Sequence, residues 1–357
     1  MNLRRIWNRL DAVRRTQAKR WRRRLFPAPR NAAPTDAKLV FVIASPRSGT
    51  TWLQKALNEH PQITCGENRL FGSYFDVVNT QGTRQLRVTM DQYAATLAQR
   101  TKRQEFPVGV EAYAEQLTAG FARVSFDLWR RHSGKPILVD KVTPYPGTAT
   151  EVVQQIRRFF PEASIIQLVR DGRDVVTSGV FHWLMKSLEG RPTSDIETQR
   201  RARFVDGRYD VHLTRFFSDE DIETWATTWC EPLSAVADPA GARSLPVRYE
   251  DLLQNQPMVL RKICQYVGAD SAGSIVRQCV LASSFERMSG GRRPGQMDAT
   301  AHVRRGVAGD WKNYFTRRDG VLFDQRCGDQ LLSLGYEPDR SWISMLPDEL
   351  SSERKAA

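Results

Sequence analysis

The chain has 357 residues, 41% of them hydrophobic and 26% charged, the balance of an ordinary globular protein with length for one large α/β domain or two smaller ones. Its formal net charge is +13, but residues 1–30 contain eleven Lys or Arg and one Asp, so ten of those charges fall there and only three on the other 327 residues. That distribution argues against a general basic surface for nucleic acid, and with no apolar run of 18 residues and no apolar segment near the start, neither a membrane span nor a secretory leader is expected.

The first element is a basic arm, "MNLRRIWNRLDAVRRTQAKRWRRRLF", with Leu3, Ile6, Trp7, Leu10 and Val13 at helical spacing. The pattern suits an amphipathic helix on an anionic membrane surface or an acidic partner, and equally a solvated tail. "PAPRNAAPTDA", residues 27–37, reads as a linker. The expected organisation is an arm over 1–30, a linker to 37, one domain over 38–340 and a tail over 341–357.

Phe41 to Ala44 form a short apolar run that ends at Pro46, and Ser48, Gly49, Thr50 and Thr51 lead into Trp52, Leu53, Ala56 and Leu57 at helical spacing. Strand, turn and helix in that order aim backbone N–H groups and two hydroxyls at one anion. Against GxxxxGK[ST], Gly49 and Thr51 are kept, Ala44 replaces the first glycine and Thr50 replaces the lysine. Without that lysine nothing reaches a γ-phosphate, which argues against a kinase or ATPase. Arg47 supplies a cation instead.

Further along, "PILVD" (136–140) and "ASIIQLVR" (163–170) read as buried strands, with a helix over 148–160 between them and another starting at 174. "SLPVRYE" (244–250) is a third strand, and helices are expected near 219–236, 257–267 and 319–335. The alternation predicts an α/β fold, a single P-loop-like three-layer domain whose central, mostly parallel sheet is flanked by helices, with ligands at the carboxyl ends of the strands. Residues 188–218 read as an insertion, either a substrate-capping loop or a plain surface excursion. Arg170 ends a strand and Ser178 follows eight residues later, two turns into the next helix, so both reach one phosphate.

At this point the chain resembles the sulfotransferases that use 3′-phosphoadenosine 5′-phosphosulfate (PAPS). The resemblance implies that the first turn, Arg47 to Trp52, holds the 5′-phosphosulfate, with Trp52 packing on the base, and that Arg170 and Ser178 hold the 3′-phosphate. "RRGVAGDWKNYFT" (304–316) is similar to the family's late R-K-G-x-x-G-D-W-K motif and assigns Arg304, Arg305 and Gly306 to that same phosphate. "VRYEDLLQNQ" places Tyr249 near the adenine, and "SSFERM" (283–288) adds Ser283 and Phe285. PAPS is then the co-substrate, and without a carboxylate or histidine cluster at metal-ligand spacing no metal is expected.

Sulfuryl transfer needs cations at the leaving oxygen and a base on the acceptor. Arg47 is assigned to the leaving oxygen, and Lys141, in "LVDKVTPY", resembles the cation of D-K-x-P segments in bacterial members. The K-T-H histidine of cytosolic members is absent, since Val142 and Thr143 follow Lys141. None of His60, His132, His182, His212 and His302 stands in that context, and each reads as a surface or structural residue. "HPQITCGENRLF" (60–71) resembles a segment of tyrosylprotein sulfotransferases and makes Glu67 the base, with Asp140 or water as alternatives and a plain ion pair with a neighbouring arginine as the bland reading. The acceptor side, residues 68–135 with the 188–218 loop, carries Phe71, Tyr74, Phe75, Tyr93, Phe106 and Tyr113. A hydroxylated small molecule or a glycolipid sugar fits as acceptor, and no specific nucleic acid is expected. Five scattered cysteines without a CxxC pair suit a cytoplasmic protein, peripheral to membrane if the arm binds there. A noncatalytic adenosine-phosphate-binding protein with a membrane- or nucleic-acid-binding arm and, less favoured, a nucleotide kinase stand as alternatives.

Overall fold

The computed structural model describes residues 38–68, 70–71, 77–100, 109–144, 146–185, 215–237, 244–298 and 301–350. The arm, the linker and most of the 188–218 segment lie outside the described residues.

Five parallel strands make one sheet in the order β2-β3-β1-β4-β5: β1 (Lys38–Ile43), β2 (Ile63–Gly66), β3 (Ile137–Val142), β4 (Ser164–Val169) and β5 (Ser244–Arg248). The central strand β1 pairs with β3 on one side, Ile43 opposite Val142, and with β4 on the other, Ile43 opposite Gln167. Strand order reverses there, and the reversal opens a crevice beyond the carboxyl end of β1. Because side chains alternate along a strand, Val40 and Val42 face one helical layer while Phe41 and Ile43 face the other.

The first layer is α1 (Thr50–Glu59), α7 (Tyr249–Val267) and α8 (Gly273–Ala282), which bury Leu53, Leu57, Leu260, Ile263 and Val276 on the sheet. The second comprises α3 (Val110–Ser133) and α4 (Ala149–Phe159), with Phe126, Ile156 and Phe159 around Phe41. Phe41 meets Phe71 and Phe126 edge-on at 5.7 and 5.6 Å. A third apolar cluster lies between α5 (Gly172–Met185), α6 (Asp219–Val236) and α10 (Arg317–Ser333), around Phe181, Trp229, Phe323 and Trp342. Two capping boxes, Ser218 with Asp221 and Thr316 with Asp319, set where α6 and α10 begin.

Several expectations change. Residues 341–350, expected as a tail, carry Trp342 and Leu346 into the third cluster. The strand expected over 244–250 ends at Arg248, and α7 starts at Tyr249, bends at Asn255 (φ −148°, ψ 69°) and resumes at Pro257, where a helix was expected. Strand β2 and helices α2 (Val77–Arg100), α3 and α8 had no clear sequence signal. Of the aromatics assigned to the acceptor side, Phe71 is core and Tyr93 is exposed on α2, while Tyr74, Phe75 and Phe106 lie outside the described residues. No helix among the described residues is long and apolar enough to cross a membrane.

Candidate active site

The crevice begins where β1 ends. Arg47 (φ 70°) and Gly49 (φ 91°) both take left-handed backbone, and a hydrogen bond of 2.7 Å joins the hydroxyls of Ser45 and Ser48 across the turn. Gly49 is the residue before α1 and offers no side-chain cap, and the first turn of the helix has no acidic residue. The helix N-terminus is therefore left to an anion from outside the chain. Gly49 also lies so close to Tyr249 that a Cβ there would sit 2.5 Å from the ring.

Four arginines converge on this turn. The Arg170 guanidinium lies 4.4 Å above the Tyr249 ring, donates from Nη1 to the Arg47 carbonyl (3.0 Å) and from Nη2 to the Val307 carbonyl (3.3 Å), and stands 3.6 Å from Asp174. Asp174 in turn accepts the N–H groups of Gly309 (2.8 Å) and Trp311 (3.0 Å), which clamps the late "RRGVAGDW" segment onto α5. Burial pushes the Asp174 carboxyl up to about 6, although Arg170 pulls it back down. Asp310 accepts hydrogen bonds from Arg304 Nη2 and Arg305 Nη1, the latter at 2.7 Å. The aspartate of the late segment thus orients that segment's own arginine pair. Arg170 Nε and Arg304 Nε and Nη1 are buried donors without a protein partner. Burying such groups unpaired costs free energy that a bound anion would recover.

Arg47 donates from Nε to the Ser178 hydroxyl (3.2 Å) and from Nη2 to the His302 carbonyl (2.8 Å), and its Nη1 lies 3.3 Å from His302 Nδ1. Burial, with Arg170 and Arg304 adding like charge, lowers its pKa to about 10, so it stays cationic at neutral pH. The carboxyl end of β3 contributes Lys141, whose Nζ is 3.1 Å from Glu67 Oε2 at the end of β2. This ion pair uses a lysine where the bland reading of Glu67 expected an arginine. Asp140 points away from solvent, 1% exposed, with Oδ1 accepting the Asn68 N–H at 2.7 Å. Burial pushes its carboxyl up to about 8. It does not line the crevice, so it is no alternative base in direct reach of substrate.

The crevice is a cleft of about 750 Å³, lined by Arg47, Gly49, Thr50, Thr51, Trp52, Glu67, Lys141, Arg170, Ser178, Tyr249, Ser283, Phe285, Arg304, Arg305 and Gly306. These are all but one of the residues that the sequence assigned to catalysis or to PAPS. Ser48 is the exception, fully buried with its hydroxyl turned to Ser45. The Ser283 hydroxyl is committed as well, accepting from Gln256 Nε2 (2.7 Å) and donating to the Cys279 carbonyl (2.8 Å). Trp52 meets Tyr249 edge-on at 5.5 Å, and Phe285, the first residue of α9 (Phe285–Ser289), packs so tightly on Gly306 (φ 68°) that a Cβ there would sit 2.2 Å from its ring.

Missed by sequence reasoning were His302, Gln254, Gln256, Met288 and Thr143, which also line the cleft. His302 was set aside as structural because it stands in no motif. Its only signal was its place two residues before Arg304. Among the described residues no group of three or more His, Cys, Asp or Glu is arranged to hold a metal.

A cleft of this kind at the switch point of a parallel sheet, with an uncapped helix N-terminus and a belt of arginines, is shaped and charged to receive an anion. A family model for the sulfotransferase family matches residues 40–272, and the chain belongs to that family. Human sulfotransferase 2A1 is 24% identical over 190 residues, covering 50% of this chain and 60% of that protein. The 3-alpha-hydroxysteroid sulfotransferase of Cavia porcellus is 22% identical over 191 residues, covering 50% and 59%. The chain thus spans about 60% of the length of these curated relatives. Among solved structures, mouse sulfotransferase SULT7A1 complexed with PAP aligns over 88% of this chain and 90% of its own, at 17% identity and a TM-score of 0.46. The sulfotransferase domain of the Synechococcus PCC 7002 olefin synthase aligns over 84% and 98%, at 18% identity and a TM-score of 0.43.

Proposed function

We infer that this chain moves a sulfuryl group from PAPS to the hydroxyl of a small-molecule acceptor. The observation that carries this reading is the gathering of Arg47, Arg170, Arg304 and Arg305 in one cleft that Trp52 and Phe285 also line, with N–H groups of Arg170 and Arg304 buried without a partner. Separate cationic corners beside aromatic rings suit a ligand with two anionic groups on one nucleoside.

The turn from Arg47 to Thr51 and the start of α1 take the 5′-phosphosulfate. Arg170, Ser178, Arg304, Arg305 and the Gly306 backbone take the 3′-phosphate, and Trp52, Tyr249, Phe285 and the region of Ser283 take the base. When bound, PAPS supplies the sulfuryl group and a phosphate as leaving group. The Glu67 carboxylate accepts the acceptor's hydroxyl proton as that oxygen bonds to sulfur and the sulfur–oxygen bond to the phosphate breaks. Lys141 and Arg47 face the charge that gathers on the leaving oxygen, and Arg47 acts by charge and hydrogen bonding, since a guanidinium does not give up its proton. A glycolipid sugar is the alternative acceptor if residues 1–30 hold the chain at an anionic surface. All five cysteines are free thiols, which fits a cytoplasmic setting.

Calorimetric titration without metal tests the donor assignment. Adenosine 3′,5′-bisphosphate should bind roughly 10- to 100-fold tighter than adenosine 5′-phosphate, the worth of a charge-assisted hydrogen bond or two at the extra phosphate. Equal affinities would overturn the reading.

A further inference from the structure

The acceptors around the Arg47 guanidinium are all neutral, and His302 supplies two of the three: its carbonyl for Nη2 and its ring Nδ1 beside Nη1, with the Ser178 hydroxyl taking Nε. A guanidinium has five N–H donors in a rigid fork. Three are engaged here, which leaves two free to turn toward a ligand, and their direction is set by the three that are held.

His302 is itself fixed from behind. Arg292 donates to the Val303 carbonyl (2.5 Å) and the Arg304 carbonyl (2.8 Å), and the Asp298 N–H donates to the Arg304 carbonyl (3.0 Å), so the backbone beside His302 has little freedom. The His182 ring of α5 meets the His302 ring edge-on at 6.0 Å. For Nδ1 to accept from Arg47, the ring must be neutral with its proton on Nε2. Its surroundings favour that state: burial, then Arg47 of the first turn and Lys141 of β3, lower its pKa to about 4. A charged ring would set a cation against Arg47 and remove the acceptor.

We propose that His302 is a positioning residue for sulfuryl transfer, orienting the Arg47 guanidinium so that its two free N–H groups meet the leaving phosphate oxygen. The proposal rests on the sulfuryl-transfer reading and adds to it a residue outside every motif. Histidine acts here through another side chain and does not itself take the acceptor's proton.

The test is a double-mutant cycle on the full chain, with PAPS as donor, 2-naphthol or water as acceptor, and release of adenosine 3′,5′-bisphosphate as readout. His302→Ala should lower kcat about 10-fold with KM for PAPS within about 3-fold, the pattern of an interaction used only in the transition state. His302→Asn, which can offer an acceptor near the place of Nδ1, should recover most of the loss. In an Arg47→Ala background, His302→Ala should change kcat little further, because its partner is gone. Additive losses, an Asn variant as slow as the Ala variant, or an unchanged kcat would each overturn the proposal while leaving the donor assignment intact. A wild-type chain that does not bind the bisphosphate, or binds it and never releases it from PAPS, would overturn the donor assignment and this proposal with it.

Discussion

Replacing Gly49 by alanine isolates what the first turn demands of its backbone. At φ 91° an L-residue is strained, at a cost of about 1–3 kcal/mol. The new Cβ would also lie 2.5 Å from Tyr249 Cδ2 and 2.8 Å from Cε2, far inside van der Waals contact. Tyr249 is poorly placed to retreat, since it is buried, carries the Arg170 guanidinium on its face at 4.4 Å and meets Trp52 edge-on. Forcing it aside adds an overpacking cost of about 1–3 kcal/mol. Gly49→Ala should therefore destabilise the domain by about 2–6 kcal/mol in urea titration. Gly134→Ala is the control: its φ is 67° and nothing lies within 4 Å of the added methyl, so only the backbone strain applies. A displaced Tyr249 would move Arg170 too, and calorimetry should show weaker binding of adenosine 3′,5′-bisphosphate for Gly49→Ala but not for Gly134→Ala. Equal destabilisation by the two substitutions, with nucleotide affinity intact in both, would refute the reasoning.

Three further outcomes are expected. Asp140 is held protonated in the fold with its carboxyl pushed up to about 8, whereas the unfolded chain ionises near 4. The folded state then binds more protons between those values, so Asp140's contribution to stability is full below about pH 4 and is lost as pH rises toward about 8, at up to about 1.4 kcal/mol per pH unit. Asp140→Asn should flatten that part of the stability profile, and a slope equal to wild type would contradict the assignment. Glu67→Gln should lower kcat by about 10²- to 10⁴-fold if the carboxylate takes the acceptor's proton, and near-normal turnover would remove it from that role. Arg170→Lys keeps a charge beside Asp174 but loses the fork, and should weaken bisphosphate binding by about 1.5–3 kcal/mol; unchanged affinity in titration would show that Arg170 does not hold the 3′-phosphate.

The local elements that build the site were legible because their signals are short-range. Phe41 to Ala44 followed by Gly49, Thr50 and Thr51 can hardly be anything but strand, turn and helix, and the buried strands at 137–142 and 164–169 announce themselves as apolar runs. Helices α2 and α3 were not, since neither presents a clean stripe: α3 leaves Phe121, Val124 and Leu128 exposed beside charged residues. Trp342 and Leu346 looked like part of a tail because a short 3₁₀ turn carries no periodicity, and only the cluster around Phe323 and Trp311 shows that they are core.

The sequence by itself determined the buried strands β1, β3 and β4, the turn after β1 and the residue types at each anion corner, since these depend on patterns within a few residues of one another. Tertiary structure alone decided which way the side chains were spent. It turned Ser48 inward to Ser45, tied up the Ser283 hydroxyl, buried Asp140 beneath the cleft and paired Glu67 with Lys141. It also carried His302 across 255 residues to the Arg47 guanidinium. Contacts of that span are set by how the strands stack and where the loops return, and no local pattern in the chain encodes them.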